Sequence, residues 1–288
     1  MRLSAILIIG ALLLLIGGGL WQPYDPDAID MTARHAPMSF AHILGTDHLG
    51  RDLASRLMAG GWRTALVIVS VGVIGFAGGA TFGTGAALLG GWRETLILRG
   101  AEMFIVVPTL IVALTAAALF GLSPLSAGLA LGLAGVGPYA LLSHSLTKRT
   151  LGLQFVQAAE ALGVGRWRLM MRHVLPATLP LIFSYAGSQA GLSVVAYASL
   201  SFIGLGADPS IPDWGSMLYE YRIFIFDHPG LMIWPGLAIA ITTGLLNWHF
   251  DPGQARNLPS RVSDHRPDER VVSVSESSRS GAAGSAPT

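Results

Sequence analysis

Tyr185, Gln189, Ser193 and Tyr197 recur every fourth residue in an otherwise apolar run. At 3.6 residues per turn such a series drifts only about 40° per step, so the four side chains make one polar stripe on a helix, with Ser184 and Ser188 beside it. In lipid a polar stripe turns toward protein or a water-filled cavity. It serves either interhelical hydrogen bonding among small residues or the lining of a polar solute's path. A second concentration of polar chemistry lies between Leu44 and Arg56. Gly45, Thr46, Asp47, Gly50, Arg51 and Asp52 read as a defined turn, with Asp47 or Asp52 capping a helix that Leu53, Ala54 and Ser55 open. Such a turn braces the chain outside the membrane or touches a ligand. His35, His42 and His48 share this stretch, but their spacings of seven and six residues match no standard metal-ligand pattern. They read as solvated, and no metal ligands are assigned. Glu102 and His144 fall near the ends of apolar runs, where they reach the interface or hydrogen-bond within a bundle.

Other chemistries are excluded by what the sequence lacks. There is no G-x-x-x-x-G-K-[ST] loop, no G-x-S-x-G elbow, no H-E-x-x-H helix and no cysteine. No catalytic residue and no cofactor site is assigned, and the chain does not hydrolyse ATP itself. Its net charge of +1 offers no field for a nucleic acid.

The elements that position these residues are apolar helices. Of 288 residues 52% are hydrophobic and 12% charged, and the mean hydropathy is +0.56. Soluble domains carry about 25% charged residues. Runs long enough to cross a bilayer cover Leu3–Leu20, Thr64–Leu89, Gly100–Phe120, Leu125–Thr147, about Leu179–Leu205, and Leu231 to about Leu246. The expected fold is all-α: a polytopic integral membrane protein of six transmembrane helices. Residues 1–20 form the first, retained as an anchor because no A-x-A-like cleavage site follows. Residues 21–63 make an extracytoplasmic loop. Residues 64–250 form the transmembrane core, interrupted by a loop at 148–178, and 251–288 form a Ser- and Pro-rich disordered tail. With the N-terminus inside, Arg2, Arg93, Arg99, Lys148, Arg149, Arg166, Arg168 and Arg172 are cytoplasmic, whereas only Arg34, Arg51, Arg56, Arg63 and Arg222 lie outside. Both termini are then cytoplasmic. Trp21, Trp62, Trp92, Trp214, Trp234 and Trp248 fall near span ends, as an interfacial belt would.

The segment 154–176 carries most information. A short helix from Gln154 to Leu162 exposes Ala158 and Ala159, small enough for another backbone to approach. Gly163 and Gly165 break or cap it. Arg166 to Val174 places Trp167, Met170, Met171 and Val174 at helical spacing among Arg166, Arg168 and Arg172, and Pro176 ends the stretch. Physics alone leaves open an interfacial helix on lipid headgroups or a docking element for a cytoplasmic partner.

The order Ala158-Ala159, three residues, Gly163, nine residues, His173-Val174-Leu175-Pro176 resembles the coupling-loop motif of ABC importer permeases, E-A-A-x3-G-x9-I-x-L-P. Gln157 stands at the usual Glu and His173 at the usual Ile. His is common there in the peptide branch, so Gln157 is the departure, and it removes a charge that could pair with a basic partner group. Further stretches resemble the C-type permease of the peptide and nickel branch: Leu44 to Asp52 with Ser55-Arg56, Leu200 to Gly206, Pro212 to Leu218, His228-Pro229 and Pro235 to Ala238. Past Asn247 the chain leaves the pattern and reads Trp248-His249-Phe250-Asp251-Pro252.

The resemblance implies the type I importer permease architecture in a bacterial inner membrane. It implies a second, homologous permease subunit, two ATPase subunits docked on residues 154–176 of the loop 148–178 through Gln157, Ala158, Ala159, Gly163, Arg166, His173, Leu175 and Pro176, and an extracytoplasmic substrate-binding protein at the outer loops 21–63 and 207–230. ATP and Mg would be used by the ATPase subunits. The cargo is a di- or oligopeptide, nickel or a metal chelate. The alternative is an ATP-independent secondary transporter or channel, which needs inverted repeats and helices interrupted at the midplane.

Overall fold

The computed structural model describes residue 15, residues 17–204 and residues 211–250. Most of the first expected span, the Leu205-Gly206 end of one motif and the expected tail 251–288 lie outside them. The regular elements among the described residues are helices, with one isolated bridge between Thr46 and Asp52; residues 21–52 are turns and loops apart from a short 3-10 helix at Met31–Ala33.

Helix α1 runs from Leu53 to Leu89 and starts at Asp52, whose side chain accepts from the Ser55 N–H. The span expected from Thr64 therefore begins eleven residues earlier. At 1.5 Å per residue α1 is about 55 Å long, against a hydrocarbon core of ~30 Å, so a membrane-crossing α1 extends beyond the core. A π-helical stretch, Gly72–Gly78, interrupts its regular winding. Gly90 and Gly91, with φ of +66° and +59°, then reverse the chain.

The third expected span proves to be two helices. α2 covers Gly91–Val106 and α3 Thr109–Phe120, and they meet at 75°. Pro108 is the cause: it lacks an N–H and disfavours helical geometry in the residue before it. Val107 is extended accordingly, at φ −84° and ψ 121°. Because α2 begins at Gly91, Glu102 is not at a span end but well inside it.

α4, Pro124–Leu151, opens on a reciprocal capping box between Ser123 and Ser126 with Pro124 in the first turn. The short α5, Gln154–Ala161, precedes α6, Arg166–Ile203. Pro176 does not end the stretch before it. The chain winds as a π-helix over Met170–Val174, the Leu175 N–H bonding back to the Met170 carbonyl, and Pro176 falls in the first turn of the regular α-helix that continues to Ile203. The wider π turn removes the demand for the N–H that proline lacks. α7, Trp214–Tyr221, and α8, Gly230–Phe250, complete the described fold. α1, α4, α6 and α8 are long and apolar enough to cross a membrane, and α2 with α3 makes a fifth if the bent pair is one span.

α4 is the central post. It packs against α1 along Gly75, Gly79 and Gly83, where Tyr139 and Ala140 take the space a side chain would fill. A Cβ at Gly79 would collide with Tyr139 and one at Gly83 with the Ala140 carbonyl. Small residues replace the hydrophobic drive that lipid removes. Trp214, expected in the interfacial belt, is instead buried: its Nε1 donates to the Leu57 carbonyl at 2.9 Å and its ring covers Gly60 and Gly61.

Gly79→Leu or Gly83→Leu is expected to force α1 from α4 and cost about 1–3 kcal/mol or more. Gly85→Leu, at a glycine with open space around it, is expected to be near neutral. Thermal unfolding of the three variants in one detergent checks the difference.

Candidate functional site

Two sites form at opposite ends of α1 and α6. At the Asp52 end, four charged side chains close into a buried clasp. The loop before α1 turns on Gly45 and Gly50, both at positive φ, and a Cβ at Gly50 would strike the Asp30 carbonyl. This folds Asp47 back over the helix start. Asp47 Oδ1 accepts the Leu49 and Arg51 N–H groups at 2.8 and 3.0 Å. Its Oδ2 accepts Arg51 Nε at 2.6 Å and the Tyr221 hydroxyl at 3.0 Å. Arg51 reaches on to Glu220 of α7, and Arg56, fully buried, lies 3.4 Å from the other Glu220 oxygen. Arg56 also donates to the Pro26 carbonyl at 3.1 Å. Within the clasp two guanidinium groups and two carboxylates balance, and at its edge the half-exposed Asp27 carboxylate lies 3.4 Å from Arg56. Thr46 accepts the Ala36 N–H at 2.8 Å and donates to the Ala33 carbonyl. Asp52 caps α1 and takes His42 Nδ1 at 2.9 Å.

The sequence motif Gly45, Thr46, Asp47, Gly50, Arg51 and Asp52 therefore comes together as one unit. Arg56, Glu220 and Tyr221 complete it. The legible signal was the polar Ser55-Arg56 pair inside an otherwise apolar helix start; nothing local to residues 220–221 indicates their role. Asp47, His48 and Glu220 bring oxygen and nitrogen atoms within 4.8 Å of one another, the reach of a metal site. Arg51 lies between the two carboxylates and uses the lone pairs a cation needs, so the donor set fits an ion-pair clasp. The three histidines are not merely solvated: His35 stacks on His228 at 3.9 Å, and His48 stacks on Phe224 at 5.0 Å. Burial holds His35 and His48 below the usual imidazole range, with His228 adding to the effect on His35. For Asp47 burial alone would raise the carboxyl, but Arg51 and the backbone N–H groups hold it below its ordinary value.

The far end is built on α5. Val156 is buried against Leu169, Met170 and Val174, which fixes the rotation of α5 about its axis. Gln157 and Ala158 then face out, while Ala159 is half-buried. Gly163, at φ +82°, ends α5: its N–H bonds to the Glu160 carbonyl at 2.9 Å and the Val164 N–H to the Ala159 carbonyl at 3.1 Å. This is a Schellman turn, with Val164 and Ala159 supplying the accompanying apolar contact. Leu162 and Trp167 are 85% and 74% exposed, and Phe155 and Met171 stand out beside them. Arg166 and Pro176 are exposed, and His173 and Leu175 half-buried. The eight residues named from the motif thus fall on one surface and its support, but Trp167 and Met170 point to opposite sides. Next to this surface Glu94 takes His144 at 2.6 Å and Lys148 at 2.9 Å. His144 thus has an acid partner, brought by the start of α2 at Gly91.

The stripe on α6 divides. Tyr197 is buried and donates to Asp213 at 3.3 Å, and Ser193 bonds back to the Ala190 carbonyl at 2.7 Å. Tyr185 and Gln189 remain partly open, Tyr185 edge-on to Tyr139 at 4.9 Å.

Residues 79–255 match the family model described as "Binding-protein-dependent transport system inner membrane component". The chain is 34% identical over 240 residues to the probable D,D-dipeptide transport system permease protein DdpC of Escherichia coli (strain K12), covering 83% of this chain and 80% of that one. It is 32% identical over 264 residues to the nickel transport system permease protein NikC of the same strain, covering 92% and 95%. It is 33% identical over 242 residues to the glutathione transport system permease protein GsiD of Pectobacterium atrosepticum, covering 82% and 80%.

Arg56→Ala leaves Glu220 without one cation inside the clasp, and a loss of about 3–5 kcal/mol is expected in equilibrium unfolding. His35 and His48 bind protons less readily when folded than unfolded. Their contribution is complete above about pH 6.5 and lost as pH falls below it. Asp47 has the same sign at lower pH, contributing above about pH 4 and losing its contribution below. The Tm is therefore expected to drop from about pH 7.5 to about pH 5.5, and to drop less in a His35→Gln/His48→Gln variant.

Proposed function

Because the chain belongs to the family of binding-protein-dependent transport system inner membrane components, we propose that it is the permease of an ABC importer for peptides or nickel, working with a second permease, two ATPase subunits and a substrate-binding protein. The observation that carries this reading is the surface around α5. A short helix, rotationally pinned by Val156 and terminated by the Gly163 turn, holds Gln157 and Ala158 outward between exposed Leu162, Trp167 and Phe155. An isolated eight-residue helix has little stability of its own. Here packing supplies it, and an apolar surface this open at the basic end of a membrane bundle suits a protein partner.

In the proposed mechanism, nucleotide binding closes the ATPase pair and carries α5 with it. α6 begins three residues beyond the Gly163 turn, so the displacement passes directly into a membrane-crossing helix. ATP must favour one arrangement of the bundle over the other to shift it. Gln157 offers a neutral amide where the family motif has a charge, so its partner groove receives a hydrogen bond without an ion pair. The clasp of Asp47, Arg51, Arg56 and Glu220 braces the outer end, where the binding protein delivers its cargo. Tyr185 and Gln189 face the path. The distribution of basic residues supports a topology with α5, the Glu94–His144–Lys148 group and both termini in the cytoplasm, and the family supports an inner membrane. The relatives carry D,D-dipeptide, nickel and glutathione by name. The cargo of this chain stays within that range: small peptides, or nickel alone or chelated.

One observation favours the ATP-independent reading: the α2–α3 break is an interrupted helix. A repeat-built transporter needs a second one in the matching half. Among the described residues α4, α6 and α8 cross without such a break.

Purification from native membranes in mild detergent is expected to retain the second permease and ATPase subunits. Ala158→Glu is expected to release the ATPases while leaving the two permeases together. Gly163→Val places a β-branched residue at positive φ, costs roughly 1–2 kcal/mol locally and is expected to uncouple transport from ATP hydrolysis. ATPases absent from the wild-type preparation, with transport intact in both variants, would sink the reading.

A further inference from the structure

Two features on one face of the chain are incompatible with lipid. The first is the break between α2 and α3. The last carbonyls of α2 and the Thr109 and Leu110 N–H groups that open α3 have no partner within their helices; the Pro108 carbonyl accepts the Ile111 and Val112 N–H groups, but Pro108 supplies neither an N–H nor a side-chain cap. Its depth follows from α4. Gly137 lies half-way along the 28 residues of α4, and a Cβ there would collide with the Ala101 carbonyl and press on Phe104 and Ile105. α2 therefore passes the middle of α4 at Ala101–Ile105 and breaks about one turn later, inside a hydrocarbon core of ~30 Å. All residues from Met103 to Ile111 are exposed on the chain. The second feature is the Arg99–Glu102 ion pair, 2.9 Å long, with side chains 73% and 45% exposed one to two turns before the break.

Non-helical backbone at membrane depth occurs where protein or a water-filled cavity covers it, not against lipid. Ionisable side chains at that depth obey the same constraint. Around the break Met103, Ile105, Val106, Val107, Leu110 and Ile111 are apolar, which suits packing against a protein and not a wetted wall. An open apolar groove of about 490 Å³ between α3 and α4, lined by Val112, Ala116, Leu125 and Leu129, continues the surface. The chain's own leading helix is engaged elsewhere where it is described: Leu15 packs on Gly61, Gly18 on Met58 and Gly19 on Trp62, toward the clasp end of α1.

The geometry points to the second permease chain as the occupant: one of its transmembrane segments lies across Val106–Thr109 and brings hydrogen-bonding side chains to the open backbone and to Arg99 and Glu102. This rests on the importer reading above and names the surface through which the two permeases meet.

The test uses the intact complex in native membranes, with a photo-crosslinking phenylalanine (p-benzoylphenylalanine) at Val107 or at Ile111, and at Ile241 on unbroken α8 as the background. Recovery of the second permease with the unirradiated chain comes first; its absence removes the importer reading itself. Given that recovery, illumination is expected to yield an adduct of the two permeases from position 107 or 111, with that band lost at 241. Two positions guard against one of them misfolding. Adducts to lipid alone, or to this chain's own first span, overturn the inference. So does rapid modification of Val107→Cys by a membrane-impermeant maleimide, which would mark a water-filled wall. The chain has no cysteine of its own to interfere.

Discussion

One carboxylate oxygen governs the Asp52 end of α1. Asp47 Oδ2 accepts from Arg51, four residues on, and from Tyr221, 174 residues away. With Arg56 and Glu220 it forms a charge-balanced set from which water is largely removed. Such a set is unforgiving: burying two cations and two anions costs several kcal/mol per ion, and the return comes only while all four are in place. The clasp therefore specifies an arrangement more than it adds stability. It fixes where α1 starts, where α7 lies and how the loop before α1 closes.

From that anchor the remaining architecture is built by close approach. Glycines at 75, 79 and 83 let α4 touch α1 backbone to side chain, and Gly187 and Gly191 do the same for α6 and α8 through Phe250 and Asn247. In a bilayer, where lipid is as apolar as leucine, contact distance replaces hydrophobic burial as the source of cohesion. Seams of this kind transmit displacement well, since there is little side chain to reorganise. The π-helical stretches at Gly72–Gly78 and Met170–Val174 are the places where the winding of the two longest helices is loosest.

Much of this was legible beforehand. Hydropathy located the apolar runs, and Asp52 was readable as a cap because an acidic residue preceded Leu53 and Ser55. The α5 surface was readable because alanines, glycines and a proline at fixed offsets carry shape as well as identity. What escaped has one physical origin: contacts between distant segments. Glu220 and Tyr221 mean nothing until α7 folds under Asp47. Trp214 read as an interfacial anchor, because sequence places it at a span end and only packing shows Gly60 and Gly61 beneath it. The break at Pro108 was hidden by unbroken hydropathy, for the residues on both sides are apolar. The beginning of α2 was misplaced because Trp92, Arg93 and Glu94 look like loop until Glu94 is seen to answer His144 and Lys148 on α4. The polar stripe was placed on one face correctly in its period, but spacing could not say that Tyr197 and Ser193 spend their hydroxyls inside the chain.

α6 has a consequence of its own. It starts beside the α5 surface, and near its other end Ser201 and Tyr197 hold Asp213, the cap of α7. Its 38 residues span about 57 Å. Tilting such a rod by roughly 5° about its middle moves each tip about 2.5 Å in opposite directions. Under the importer reading proposed above, a pull at one surface of the membrane would reach the segment that carries Glu220 through this one rigid rod. In the proposed mechanism the helix works as a seesaw, and the π turn at Met170–Val174 is the loosest winding in its beam.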